Sequence, residues 1–386
     1  MHLKRFSIYF FCLLFLSCRN SSEDIPHKGT IDLEACLVQV DTMMVSLEDA
    51  SGMGNYYMRD SVITFVDAVT SVFYDIDLNG NITSSYFRKG NGKNEIPSLL
   101  YAYPIGNDPY DRAVILDNSN GVTLFEIESK NIVSRGIADF GWEQHHTKSY
   151  RLPELYNFSF FTDFGVSFYL DPDSKLLFQA NIVNRNTTMP DEVEKRRYID
   201  GAVLGRLNME TYEVEEVFGY FPDIYESTPM PHLEFFQYVI QGDKLYMNHT
   251  VDSLIYVYQY PDTPLYTFGY ECRDIDRSYT VTKKIDNSTY FKKDLEHVGF
   301  NTGLQFIPEL NVFCRTYIKS AATGEAGMQI YKDYDLIADI DVPVFFKLLG
   351  YCDGCFYGSS FVPIETTNKT SIIIYRLKIT SLSINN

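Results

Sequence analysis

Short apolar runs separated by turn residues fill most of this chain, and almost none of them sustains a helical period. SVFYDID and NITSSYF flank Asn79-Gly80, and VTLFEIE and NIVSRGI flank Ser129-Lys130. AVLGRLN and EVEEVFG flank METY, SLIYVYQY and LYTFG flank Pro261-Asp262-Thr263-Pro264, and MQIYKDY runs directly into DLIADI. Strand-like segments bounded by Gly, Pro, Asn and Asp predict β-hairpins. Upstream of the last two lie further strand pairs, FFQYVIQ-GD-KLYMNH and LQFIPELNVFCRTY. The 30 Tyr and 28 Phe suit pleated, half-buried surfaces.

Hairpins that recur every 40 to 80 residues, each needing a neighbour to bury its face, predict a stacked array. The expected fold class is all-β: a six-bladed β-propeller of four-stranded antiparallel blades, with a pair of β-sandwich domains as the competing architecture. The final unit offers three strands, ending in TSIIIYRLKI. Near the other end, Ala35 to Ser46 (ACLVQVDTMMVS) is strand-like and has no hairpin partner of its own. An open edge leaves a row of unpaired N–H and C=O groups. The N-terminal run is therefore expected beside Ile372 to Ile379, closing the last blade as a clasp.

The first residues predict the compartment. Lys4 and Arg5 precede an apolar run from Phe6 to Leu16, which is too short to span a bilayer, and small Ser17 precedes Cys18. Leu14-Phe15-Leu16-Ser17-Cys18 resembles the bacterial lipobox, which implies a lipidated Cys18 as the mature N-terminus. The expected organisation is a lipoprotein signal peptide over residues 1–17, a flexible tether over 18–30 and a propeller domain over 31–386.

Charge narrows the partners. Of 33 basic residues, loss of Lys4 and Arg5 with the leader leaves 31 against 51 acidic ones, a balance of −20. No basic cluster offsets it, so nucleic acid is not an expected partner. Five cysteines remain after Cys12 and Cys18, an odd and scattered set that is not a disulfide framework.

Two of them, Cys352 and Cys355 in GYCDGCFYG, have the C-x-x-C spacing of zinc and redox sites. FFKLLGYCDGCFYG, however, aligns with FFQYVIQGDKLYM, so that Asp353-Gly354 falls where Gly242-Asp243 falls. Asp-Gly is a strong two-residue turn signal, no second C-x-x-C or nearby His completes a tetrahedral set, and the motif reads as a hairpin turn. Asp75-Ile76-Asp77 and Asp171-Pro172-Asp173-Ser174 resemble fragments of calcium loops but lack the closing Glu, and they too read as turns. No metal site, cofactor or catalytic residue is expected from the motifs.

GWEQHHTKSY (141–150) gathers the single Trp with two adjacent histidines in a connection between units. Loops on a rigid scaffold commonly carry function, so Trp142, His145 and His146 are the candidate ligand-binding residues.

The leader, the acidic β-rich body and the form DRAVILDNSNGVTLFEIESKNIVSRGI together resemble the six-bladed propeller lipoproteins of Bacteroidota. That resemblance implies an outer-membrane lipoprotein facing the periplasm or the exterior, held to the membrane by its lipid, with a glycan, a peptide or an envelope protein as partner. A non-catalytic binding or scaffold module is the expected function. The competing expectation is a lactonase-like propeller hydrolase with a metal held in the central channel by Asp, Glu and Asn.

Overall fold

The computed structural model describes residues 23–24, 36–117, 119–139, 151–154, 167–184, 202–282, 287–360, 364–366 and 369–380. The described chain is all-β: four-stranded antiparallel sheets stand in a propeller-like ring. After a two-residue strand β1 (Glu23–Asp24) and the long β2 (Leu37–Leu47), the first sheet is β3 (Gly54–Arg59), β4 (Val62–Asp67), β5 (Phe73–Ile76) and β6 (Ile82–Tyr86). The next run is β7 (Tyr101–Gly106), β8 (Arg112–Leu116), β9 (Gly121–Glu126) and β10 (Ile132–Ile137). A third comprises β11 (Arg151–Glu154), β12 (Phe168–Leu170), β13 (Leu176–Asn184), β14 (Ala202–Leu207) and β15 (Val214–Phe218).

Helix α1 (Asp223–Ser227) leads to β16 (Phe236–Gln241), β17 (Lys244–His249), β18 (Ile255–Gln259) and β19 (Thr263–Phe268), the edge of which β1 joins in parallel. Helix α2 (Asn287–Asp294) precedes β20 (Phe300–Ile307), β21 (Val312–Ile318), β22 (Ala326–Lys332) and β23 (Asp335–Val342). The last sheet contains β24 (Phe346–Cys352), β25 (Cys355–Ser360), β26 (Ile364–Thr366) and β27 (Lys369–Thr380).

The expected six separate blades are not what the ladders form. β7 and β12 pair in parallel, Phe168 opposite Ile105 and Tyr169 opposite Gly106, and this joins a four-stranded run and a five-stranded one into one nine-stranded sheet. The ring therefore holds that sheet and four separate ones. Gly106 permits the junction, because a Cβ there would lie 2.5 Å from the Tyr169 ring.

The strands that lead each run stand next to one another around the axis: β3 against β7 and β24, β7 against β12, and β20 against β16 and β24. Between β12 and β16 the ring of Tyr169 meets that of Tyr238 at 5.4 Å. Inner strands lie between neighbouring sheets, and β4 and β16 accordingly read as nearly continuous buried runs. Outer strands such as β10 alternate between half-buried and exposed.

The N-terminal run closes the last sheet as expected. β2 lies antiparallel to β27 over eleven paired positions, from Leu37 opposite Thr380 to Leu47 opposite Thr370. Val45 and Leu47 enter an apolar cluster with Ile372 and Ile374 of their own sheet and Tyr56, Ile63 and Phe65 of the first. Across the other side of the first sheet, Tyr57, Val66 and Phe73 meet Ala113, Ile115 and Phe125. The core is thus distributed between sheets, which is why no single hairpin here is stable alone.

Buried polar groups tie neighbouring sheets together. Asn55 Nδ2 donates to the Ala102 carbonyl at 2.6 Å, and Gln179 donates to the carbonyl of Phe236. Arg315 is fully buried and donates to Gln329, to Tyr331 Oη and to the carbonyls of Ser253 and Tyr270. A buried charge is tolerable only when paired and hydrogen-bonded, and these partners come from β22 and from the loops that flank β18 and β19.

Turn chemistry agrees with the sequence at most positions. Cys352 pairs with Cys355 across Asp353 (φ 49°) and Gly354 (φ 78°), the two left-handed residues of a type I′ turn. Gly242 (φ 63°) carries the only left-handed residue of the aligned Gln241–Lys244 turn, so place is shared and turn type is not. Three expectations need correction. Thr263 and Pro264 belong to β19, opposite Gln259 and Tyr258, and not to the turn. Asp333 and Tyr334 (φ 49° and 70°) form the turn between β22 and β23 without a glycine. Asp75 is no turn residue: it sits buried in β5, bonded to Thr64, Ser84, Tyr86 and Lys130. Asp77 and Asp171 do make turns, each accepting backbone N–H bonds from residues two and four positions on.

Candidate functional site

The inner strands enclose a channel along the ring axis. Its mouth is a cavity of 470 Å³, lined in succession by Met58 of β3, Tyr103 of β7, Tyr169 of β12, Val239 to Gln241 of β16, Leu304 to Ile307 of β20 and Leu349 to Tyr351 of β24. The rim carries Asp60, Asn107 and Glu309, each just past the end of an inner strand. Below the mouth is a throat of 40 Å³, reached by Gln237 and Thr302 of β16 and β20, by Lys347, and by Tyr103, Ser167, Leu304 and Gln305, which it shares with the mouth. Earlier residues of β16, β20 and β24 line the throat and later ones the mouth. These inner strands therefore run the same way, from throat to rim.

Four of the aromatic side chains in the lining, Tyr103, Tyr169, Phe306 and Tyr351, lie against a second ring. Tyr351 lies 4.9 Å from Phe356, Phe306 lies 5.0 Å from Phe313, and Tyr103 stacks on Tyr101 at 6.0 Å. Burial pushes the Tyr103, Tyr169 and Tyr351 phenols above their ordinary range, so at neutral pH they are uncharged hydrogen-bonding groups.

Two amides in the throat are incompletely used. Gln237 Oε1 accepts from Asn248 at 2.8 Å while its buried Nε2 has no partner. Gln305 Nε2 donates to the Leu349 carbonyl at 3.4 Å while its buried Oε1 has none. An unmet buried amide atom costs about 1–3 kcal/mol, and such atoms in a native cavity point to a bound polar group.

No family model matches the chain, and no curated protein matches it. Solved structures do. A member of the DUF4221 family from Bacteroides vulgatus ATCC 8482 superposes with a TM-score of 0.63 at 14% identity, covering 89% of this chain and 98% of that one. A protein of Bacteroides fragilis NCTC 9343 described as a "Putative exported protein" gives a TM-score of 0.52 at 12% identity, with coverage of 89% and 95%. The fold of the chain is that of these Bacteroides proteins.

The carboxylates among the mouth residues are Asp60 and Glu309, and no group of three His, Cys, Asp or Glu side chains placed to hold a metal occurs among the described residues. Calcium takes carboxylate and amide oxygens, so a metal-holding hydrolase would draw on Asp60, Asn107 and Glu309 at the rim. Cys352 and Cys355 are free thiols flanking their turn at the end of β24. Cys18, Trp142, His145 and His146 lie outside the described residues. Among the described residues no helix is long and apolar enough to cross a membrane.

Sequence reasoning did not single out Tyr103, Gln237, Gln305 or Tyr351. A signal for them existed: YAYPIG, FQYVIQ, LQFIP and FKLLGY each begin a unit, and the leading strand of a propeller unit lines the channel.

Two further polar residues are buried away from the channel. His249 has neither ring nitrogen bonded and is surrounded by the rings of Phe221, Tyr225, Phe236 and Tyr256. His232 Nε2 lies 2.8 Å from Asp294 Oδ2, both fully buried, and Asp294 also accepts from Thr280, fixing α2 to the body.

Proposed function

We propose that this protein is a lipid-anchored module of the cell envelope that binds a ligand in its channel mouth without transforming it. The observation that carries the reading is the lining itself: four aromatic side chains backed by second rings, with one atom of each of two amides left unbonded at the base. A largely preformed concavity with a few convergent polar groups is the usual form of a small-molecule site. The leader around Cys18 and the exported Bacteroides relative in fold support the compartment, with the membrane as a partner through the lipid. Reading the nine-stranded sheet as two blades joined at their inner strands makes the body a six-bladed propeller. Trp142, His145 and His146 keep their assignment as a binding loop, and a glycan, a peptide or an envelope protein remains the range of partners.

Elemental analysis of the purified full-length protein tests the choice between binder and metal-dependent hydrolase. The expected result is less than one tenth of an equivalent of calcium or zinc, taking a tenth as roughly the level of adventitious binding. A stoichiometric metal that is lost on substituting Asp60 and Glu309 overturns the reading.

A further inference from the structure

We infer that the ligand of this channel is a neutral carbohydrate, one hydroxyl of which enters the throat between Gln237 and Gln305; the inference rests on the binding reading above. The throat presents one unpartnered donor, Gln237 Nε2, and one unpartnered acceptor, Gln305 Oε1, on a residue 3% exposed and a half-buried one respectively. A hydroxyl both donates and accepts, so it completes both amides at once. A carboxylate has no proton for Gln305, and an ammonium has no lone pair for Gln237.

Size agrees. A cavity of 40 Å³ exceeds the roughly 10–15 Å³ that one water requires and suits a hydroxymethyl group. The mouth above it, at 470 Å³, accepts the rings that would carry that group. Half-buried Tyr103, Tyr169, Phe306 and Tyr351 line the mouth, where aromatic rings can pack against the apolar C–H surface of a sugar, and their backing rings preorganise them.

Charge argues for neutrality. Among the described residues the lining of the mouth contains no Lys or Arg, whereas Asp60 and Glu309 at its rim repel anions. Among the described residues Lys347 is the single cation at the throat, and it is already engaged with another group.

Titration calorimetry on the detergent-solubilised full-length protein provides the test. The probes are glucose, galactose and N-acetylglucosamine with their di- and trisaccharides, one sialylated trisaccharide and trialanine. Neutral sugars are expected to bind and the sialylated one to bind at least tenfold more weakly. Gln305→Leu is expected to weaken the sugar about tenfold, the loss of one buried hydrogen bond, with unchanged thermal unfolding. Gln237→Leu repeats the test from the other side of the throat, and a sugar lacking the inserted hydroxyl should lose affinity for the wild type but not for Gln305→Leu.

Failure of every neutral sugar to bind overturns the inference. Equal sugar affinity in the wild type and both Gln variants overturns the throat assignment. Binding of trialanine alone, abolished by Tyr351→Ala, refutes the carbohydrate while leaving the channel as the binding site.

Discussion

Replacing Leu47 by Ala probes how the ring is closed. Leu47 is 1% exposed at the end of β2 and packs with Tyr56 and Phe65 of the first sheet as well as with Ile372 of the last. The substitution removes three carbons, roughly 2.4 kcal/mol of transfer free energy at about 0.8 kcal/mol per buried methylene. The unfilled space adds to that, and buried Leu→Ala changes cost about 2–5 kcal/mol in total, so a loss near 3 kcal/mol is expected. Met44, three residues earlier on the same strand, is 59% exposed, and Met44→Ala should stay within about 0.5 kcal/mol.

Urea unfolding of both variants measures the difference. Hydrogen exchange on Leu47→Ala should then show the amides of β2 and β27 losing protection together, because their eleven-position ladder is one cooperative unit. The clasp is refuted if Leu47→Ala costs no more than Met44→Ala, or if β27 stays protected while β2 exchanges freely.

His249 makes stability depend on acid, since burial lowers its pKa from the ordinary 6.5 to about 3. The unfolded imidazole takes a proton that the folded one refuses, so stability is complete above about pH 6.5 and falls towards pH 3 by up to about 1.4 kcal/mol per pH unit. His249→Phe should flatten that slope, and parallel pH profiles for the two proteins would sink the argument. Cys352 and Cys355 are partly exposed, whereas Cys272 and Cys314 are buried, with the Cys272 thiol pushed up to about 11. Ellman's reagent should therefore label the first pair quickly and the second only on unfolding, and the double change of Cys352 and Cys355 to Ser should cost about 1 kcal/mol; an unreactive Cys352–Cys355 pair would indicate a bond between them. Cys18→Ala should move the protein from the detergent-extractable membrane fraction to the soluble one, and continued membrane association excludes the lipid anchor.

The strands, most turns and the closing clasp were legible in the chain because each is written in near neighbours. Alternation of apolar residues marks a strand within five or six positions, and Asp353-Gly354 specifies its turn through two φ angles. Even the clasp followed from a local surplus: an apolar run without a partner at one end and an incomplete sheet at the other. The β7–β12 junction was not legible, since it depends on two inner strands, 63 residues apart at Tyr169 and Gly106, approaching closely enough to exchange hydrogen bonds, with Gly106 leaving room for a ring. Asp75 looked like part of a turn because its partners Thr64 and Lys130 come from other strands and another sheet.

The channel is the furthest case. Met58, Tyr103, Tyr169, Gln237, Gln305 and Tyr351 share a place on the leading strands of their units, but no residue pattern within those strands separates them from ordinary core residues. Periodicity reports only which face of a strand is turned from water. Which of those faces meets another sheet and which meets the axial cavity is set by curvature of the whole ring, a property of all its sheets together and of no segment alone.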